Sequence, residues 1–147
     1  MKIVFFQWLI FTLYTSFVWI KYGVQRSISE SWYTIEPKEK FLFSIFCFGL
    51  GLPMWLYDSI WFIVAGSLLC FVGSATMFKE KTTGIIHNIG AAGAIVVSLA
   101  GLVTFDIWIP ALLMAAGFVA LQKVENKVWW VETLAVYLIL SGLWYFS

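Results

Sequence analysis

The chain predicts an all-α fold, a polytopic transmembrane bundle of six helices, on three observations. Of its 147 residues 62% are hydrophobic and only 12% charged, half the charge of an average water-soluble domain. A soluble fold of this size has too little interior to hide that much apolar surface, so the surrounding solvent must be lipid. Charged residues then punctuate the sequence so as to leave six apolar stretches, most of them near the ~20 residues that span a bilayer. Finally, lysine and arginine collect in alternate connections, the signature of a threaded membrane chain. A net charge of +1 supplies no basic field for nucleic acid, so nucleic-acid binding is excluded. A secreted disulfide scaffold and a disordered chain are excluded by the same composition.

The first helix is expected over residues 3–22, between Lys2 and the charged stretch that starts at Lys21. Its apolar run is longer than a signal peptide's and no A-x-A cleavage signal follows, so it reads as a retained span. The second, 41–57, contains Gly49, Gly51 and Pro53, and Pro53 predicts a kink in its outer half. The third, 59–78, carries Gly66-Ser67 and Gly73-Ser74 seven residues apart, a small-residue face for a neighbouring helix. The fourth is expected over 84–105, the fifth over 107–122 and the sixth over 128–146, interrupted once by Glu132. The second and fifth are short for a span. Asp58 and Asp106, in the turns before the third and fifth helices, are expected to cap them. The six stretches use most of the chain, leaving one integral membrane domain over 1–147.

Eight basic residues fall on one side of this threading: Lys21, Arg26, Lys38 and Lys40 in the first loop, Lys79 and Lys81 in the third, Lys123 and Lys127 in the fifth. Lys2 stands alone on the other. The positive-inside rule then puts loops one, three and five in the cytoplasm and both termini outside, in a cytoplasmic (inner) membrane. Tryptophans such as Trp19, Trp55, Trp108, Trp129 and Trp144 sit near the predicted ends, where amphipathic rings anchor at the interface.

The polar residues with chemical potential share that cytoplasmic side. Residues 23–40 form the only long connection, mixing hydroxyls, acids, bases and two large aromatics, and either cross the bundle mouth or serve as a solvated connector. His87, the only histidine, is followed by Asn88 and heads a stripe of Ala91, Ala94, Ser98 and Gly101 at helical spacing. Small residues admit a neighbouring helix, so His87 faces the protein interior, as a functional group or as a structural one. Glu132, inside the sixth helix, either faces a cavity or a partner, or lies shallow enough to reach water, Lys123 or Lys127. Ser29, Glu30, His87, Asn88 and Glu132 are therefore the candidate ligand-binding cluster, with Lys79 and Glu80 nearby.

The middles of the helices lack charge, which disfavours a continuous ion path. No CxxC, HExxH, GxSxG or phosphate loop is present, so no catalytic residue is assigned and no metal or cofactor is expected. Cys47 and Cys70 read as apolar filling at similar depth.

The order of several short motifs resembles a known family. Ser27-Ile28-Ser29-Glu30-Ser31 follows helix one, then an acidic stretch with Pro37 and an aromatic-rich helix two. Val72-Gly73 closes helix three, Phe78-Lys79 follows, and His87-Asn88-Ile89-Gly90-Ala91 opens helix four. Over roughly residues 10–100 this is similar to the Frag1/DRAM-type six-helix membrane proteins and their bacterial relatives, with an Ile-Ser-Asp or Ile-Ser-Glu signature and a His-x-x-Gly-Ala-like start to helix four. The resemblance implies a site near the first loop and singles out Ser29, Glu30 and His87. It links the eukaryotic members to lipid-anchor remodelling, phosphoinositide-linked membrane control and autophagy, and those members are drawn in the opposite orientation. The favoured function is a non-enzymatic module that binds lipid headgroups or a membrane partner through loop one. The alternatives are an intramembrane lipid-modifying enzyme using His87 with Glu30 or Glu132, and an oligomeric channel or transporter. Expected partners are membrane lipids, with a membrane protein or a second copy as further candidates.

Overall fold

Apolar runs between charges become helices because a backbone surrounded by apolar side chains must satisfy its own hydrogen bonds. The computed structural model describes residues 3–75 and 82–146; for Ala75, residues 82–86 and Phe146 only the backbone is described. The described residues are all-helical, without strands. They form α1 (Ile3–Tyr22), the single turn α2 (Ser31–Thr34), α3 (Phe41–Met54), α4 (Ile60–Ala75), α5 (Thr82–Thr104), α6 (Ile109–Ala120) and α7 (Lys127–Phe146). Short 3-10 turns at Pro37–Glu39 and Leu121–Lys123 complete the order. Among the described residues there are thus seven α-helices where six were expected, because α2 forms inside the polar connection. Ile3–Tyr22, His87–Thr104 and Lys127–Tyr145 are long and apolar enough to cross a membrane. The outer surface is covered with large apolar side chains, Ile20 at 85% and Val119 at 72% exposure among them. Both features are compatible with a membrane protein.

Three helix ends differ from expectation. α3 stops at Met54 rather than at residue 57, with Pro53 in its last turn, Trp55 N–H bonded to Leu52 O and Leu56 N–H to Pro53 O. A proline one position from the end removes little, because the carbonyl it orphans is near those a terminus leaves free anyway. Asp106 does not cap α6. It takes φ +61, a left-handed conformation that aspartate tolerates, and Trp108 becomes the cap residue without a side-chain bond. Pro110 in the first turn makes a capped N–H there unnecessary. Asp58 is likewise not the cap position: Ile63 N–H reaches the Ser59 carbonyl.

The small residues bring α3, α4 and α5 together. Gly51 lies against the Gly66 carbonyl, Gly73 against Cys47, Gly90 against Val72, and Gly101 against Trp61. Both cysteines are free. α1 packs on α3 and α7, while α6 stays peripheral beside α7 and α5. Rings close the α1–α7 seam, with Trp8 4.6 Å and Phe11 5.1 Å from Tyr137. Tyr14 stacks on Phe46 at 4.4 Å between α1 and α3. The helices α1, α3, α4, α5 and α7 therefore surround a common interior.

Candidate functional site: a latched loop above an apolar cavity

Gly23 ends α1 at φ +77, a conformation open to glycine, and its N–H bonds the Trp19 carbonyl. The chain then turns inward. Ile28 and Ile35 are buried, and Ser31 is fully buried with its hydroxyl 2.6 Å from both Ile28 O and the Tyr14 phenol. Residues 23–40 cross the bundle mouth.

Glu132 holds the centre of this crossing. Its Oε2 accepts the backbone N–H groups of Ile28 at 2.5 Å and Ser29 at 3.3 Å, and its Oε1 accepts the Ser29 hydroxyl at 3.1 Å. Two successive N–H groups converging on one anion form a small nest, here occupied by the protein's own carboxylate. Charge-assisted bonds of this type are stronger than neutral ones. Among the described residues, neither Lys123 nor Lys127 pairs with it.

His87 secures the same loop from α5. Its Nε2 lies 2.8 Å from the Ser29 carbonyl, and a carbonyl only accepts, so Nε2 carries the proton. The ring stacks on Phe43 at 5.7 Å and 27°. Ser27 Oγ accepts the Glu30 N–H at 2.9 Å and lies 3.1 Å from Ser29 Oγ. Two bonds to loop carbonyls from residues at and just before the start of α7 complete the clasp: Trp129 N–H to Arg26 O, and the Asn126 side-chain amide to Val24 O.

Of the five candidate residues, Ser29, His87 and Glu132 are joined by hydrogen bonds; Glu30 lies close enough for its charge to act on both His87 and Glu132 but is bonded to neither among the described residues, and Asn88 points away. Asn88 is exposed, one helical step of ~100° away from the inward face that His87 occupies. Glu30 turns outward beside Arg26, 3.8 Å away. Lys79 and Glu80 lie outside the described residues. Among the described residues no hydrogen bond joins His87 to Glu30 or Glu132, and the Ser29 hydroxyl donates to the carboxylate rather than to a base. The arrangement is a clasp of hydrogen bonds that ties loop one to α5 and α7. It also holds no group of three or more His, Cys, Asp or Glu among the described residues able to bind a metal.

The outer part of the loop carries its own ion pairs. Lys21 bridges Glu36 at 3.3 Å and Glu39 at 2.6 Å, and Lys38 meets Glu36 at 2.9 Å. Hydrogen bonds from Lys38 and then Lys21 hold the Glu36 carboxyl below its ordinary range, and Lys21 followed by the Tyr22 phenol does so for Glu39. The same Glu36 contact raises Lys38. Most of these groups are exposed, so these pairs orient the loop more than they stabilise it.

Beneath the latch lies a cavity of about 80 Å³. Ser29 and Glu132 form its upper end; Phe46, Leu50, Ala94 and Leu143 are among the apolar residues lining the remainder. At the far end Gln7 is completely buried, donating to Leu50 O at 2.8 Å and accepting from the Tyr57 phenol at 3.3 Å. Sequence reasoning passed over Gln7, although a single polar side chain in the apolar first half of α1 was the available signal. Ser98, foreseen as part of the small stripe, donates to Ala94 O at 2.7 Å and also faces the cavity.

Replacing His87 with alanine is expected to destabilise the fold by about 2–4 kcal/mol, from the lost ring packing and the bond to Ser29. Thermal unfolding in detergent measures it; an unchanged midpoint would mean that His87 does not hold the loop.

No known protein family, curated protein or solved structure matches this chain.

Proposed function

We propose that the protein is a six-span membrane protein of the Frag1/DRAM-like kind that holds a lipid molecule non-enzymatically at one leaflet, with loop one as the roof of the site. The observation that carries this reading is the apolar cavity ending at Ser29 and Glu132. A void lined almost wholly by apolar side chains normally stays dry, and its empty space costs stability in proportion to its volume. An acyl chain removes that cost. The loop hydroxyls are spent on the latch, so binding falls to the cavity rather than to the outer face of the loop.

In this reading α3 and α6 cross the bilayer with the help of their flanking turns and local thinning. Lys21, Arg26, Lys38, Lys40, Lys123 and Lys127 gather at the loop-one end, which supports a cytoplasmic first loop. Lys40, with its ammonium 4.4 Å from the Trp32 ring centre, suits a headgroup boundary.

The test is lipid retention. Wild type purified in mild detergent is expected to carry about one lipid per chain by native mass spectrometry. Ala94→Leu, which projects a larger apolar side chain into the cavity, is expected to lose it while melting within about 1.5 kcal/mol of wild type. Equal lipid occupancy in a folded Ala94→Leu would overturn the assignment to the cavity.

A further inference from the structure

A second apolar space borders the cavity, and the way the two meet says how a lipid enters, an inference that rests on the proposed lipid-holding function. This outer groove, of about 320 Å³, lies between α1 and α3, with Leu13, Tyr14 and Phe17 on one wall and Leu42, Ile45 and Phe46 on the other. Its two ends are fixed. At one, Ile10 packs directly on Gly49 and brings the helices together. At the other, the Lys21 ammonium bonds Glu39 at 2.6 Å, tying the end of α1 to the turn before α3, and lies 6.0 Å from the centre of the Phe17 ring. Between these ties, about 16 Å apart along α1, the helices part and the groove opens outward. Leu13 is 61% and Ile45 54% exposed, and on the six-span reading what they face is bilayer hydrocarbon.

The groove's chemistry suits an amphiphile. Tyr14 carries the one polar side-chain group on its walls, and that phenol is already bonded to Ser31 at 2.6 Å, so the groove offers an occupant only hydrocarbon contact. Charges stand at one end alone, where Lys21 and Lys38 alternate with Glu36 and Glu39. A chain below and a charged head above is the layout of a phospholipid in its leaflet.

Phe46 stands between groove and cavity, as the one residue that lines both. Register explains its place. Phe43, Cys47 and Leu50 follow the inward row of α3, Leu42 and Ile45 the outward one, and position 46 falls on the border. Its ring is buried and stacks on Tyr14 at 4.4 Å, with Phe43 6.0 Å and Phe11 6.1 Å away. Tyr14 is pinned through Ser31 to the latched loop, whereas Phe46 has no polar tether. A close-packed side chain has nowhere to move, but Phe46 borders open space on both sides. Other seams are closed by contact: α3–α4 by Gly51 on the Gly66 carbonyl, α4–α5 by Gly90 on Val72, α1–α7 by rings. The competing path is α5–α7, where Ala91, Ile95 and Val136 line the cavity half-buried.

We infer that the α1–α3 groove is the lateral entrance to the cavity, that it seats a hydrocarbon chain of a bilayer phospholipid, and that Phe46 is the gate this chain displaces on its way in. The experiment follows, by native mass spectrometry over time, exchange of the lipid retained by the full-length protein for chain-deuterated dioleoylphosphatidylcholine. Phe46→Ala, which removes the partition, is expected to exchange at least about tenfold faster than wild type. Ile45→Trp, which fills the groove from its exposed wall without lining the cavity, is expected to exchange at least about tenfold slower. Because Ile45 is more than half exposed, this second variant keeps the test open if Phe46→Ala fails to fold. Exchange at the wild-type rate in Ile45→Trp, or no faster in a folded Phe46→Ala, overturns the inference and moves the entrance to another seam, while the lipid-holding reading stands. A wild type that retains no lipid and takes up none of the labelled phosphatidylcholine overturns both.

Discussion

Glu132→Ala should be among the most damaging single changes in the chain, lowering stability by about 3–5 kcal/mol. Removing one partner from a cluster of charge-assisted bonds costs more than the bonds contribute net, because the donors left behind are desolvated. Here the stranded donors are the Ile28 and Ser29 amides and the Ser29 hydroxyl. Glu132→Gln restores only part of the loss, since a carboxamide keeps one acceptor oxygen and turns an NH2 group towards the remaining donors. Amide hydrogen exchange distinguishes loop release from general unfolding. Protection at Ile28 and Ser29 is expected to disappear while protection in α3 and α4 persists. If the loop amides remain as protected as in wild type, the latch is not what holds the loop.

Gly51→Ala is the second large effect, although a helix interior ordinarily gains about 1 kcal/mol from that exchange. A Cβ at Gly51 would lie 2.6 Å from the Gly66 carbonyl oxygen and 2.9 Å from Cys70 Sγ. The first of these is backbone and cannot move aside, so α3 and α4 must separate. Overpacking costs of this kind are typically 1–3 kcal/mol, and a backbone obstacle puts the net loss near 3. Gly93→Ala is the matched control. Its Cβ meets only the flexible end of Leu68, at 3.3 Å, so helix propensity wins and stability changes by less than about 1 kcal/mol. Thermal unfolding of both variants in one detergent decides the matter, and equal melting temperatures would remove the close α3–α4 approach from the account.

The contrast between Glu132 and Asn88 shows which parts of the site were legible in the sequence. Glu132 announced itself as a carboxylate within an apolar run, a position that demands a partner. Its actual partners are backbone amides, which every residue owns and which leave no mark on a sequence. His87 was legible because the residues four, seven and eleven positions beyond it are small, defining an inward face. Asn88 was included for adjacency alone, and one helical step carries it outside. Glu30 joined the cluster as part of a loop motif, yet the bend that turns Ser29 inward turns Glu30 outward. The apolar segments were readable from charge spacing, whereas α2 was not, because its one turn inside a polar connection depends on burial of Ser31 and contact with Tyr14. Nor was the cavity, which is a property of five helices together and not of any one face.

The latch also dictates an order of events during synthesis. His87 follows Ser29 by 58 positions, but the bonds that close the latch join residues 102 to 104 positions apart, from Val24, Ile28 and Ser29 to Asn126 and Glu132. At about 5–20 residues per second, the first loop waits some 5 to 20 seconds on the ribosome's clock before its counterpart emerges. Throughout that interval the nascent chain has an unsealed first loop, and on the six-span reading proposed above Glu132 enters the bilayer as a lone carboxylate until the two meet. Completion of α7 is therefore the step that converts a set of helices into a closed protein. A chain truncated before residue 127 would keep its earlier helices but never close, presenting quality control with a persistently open end.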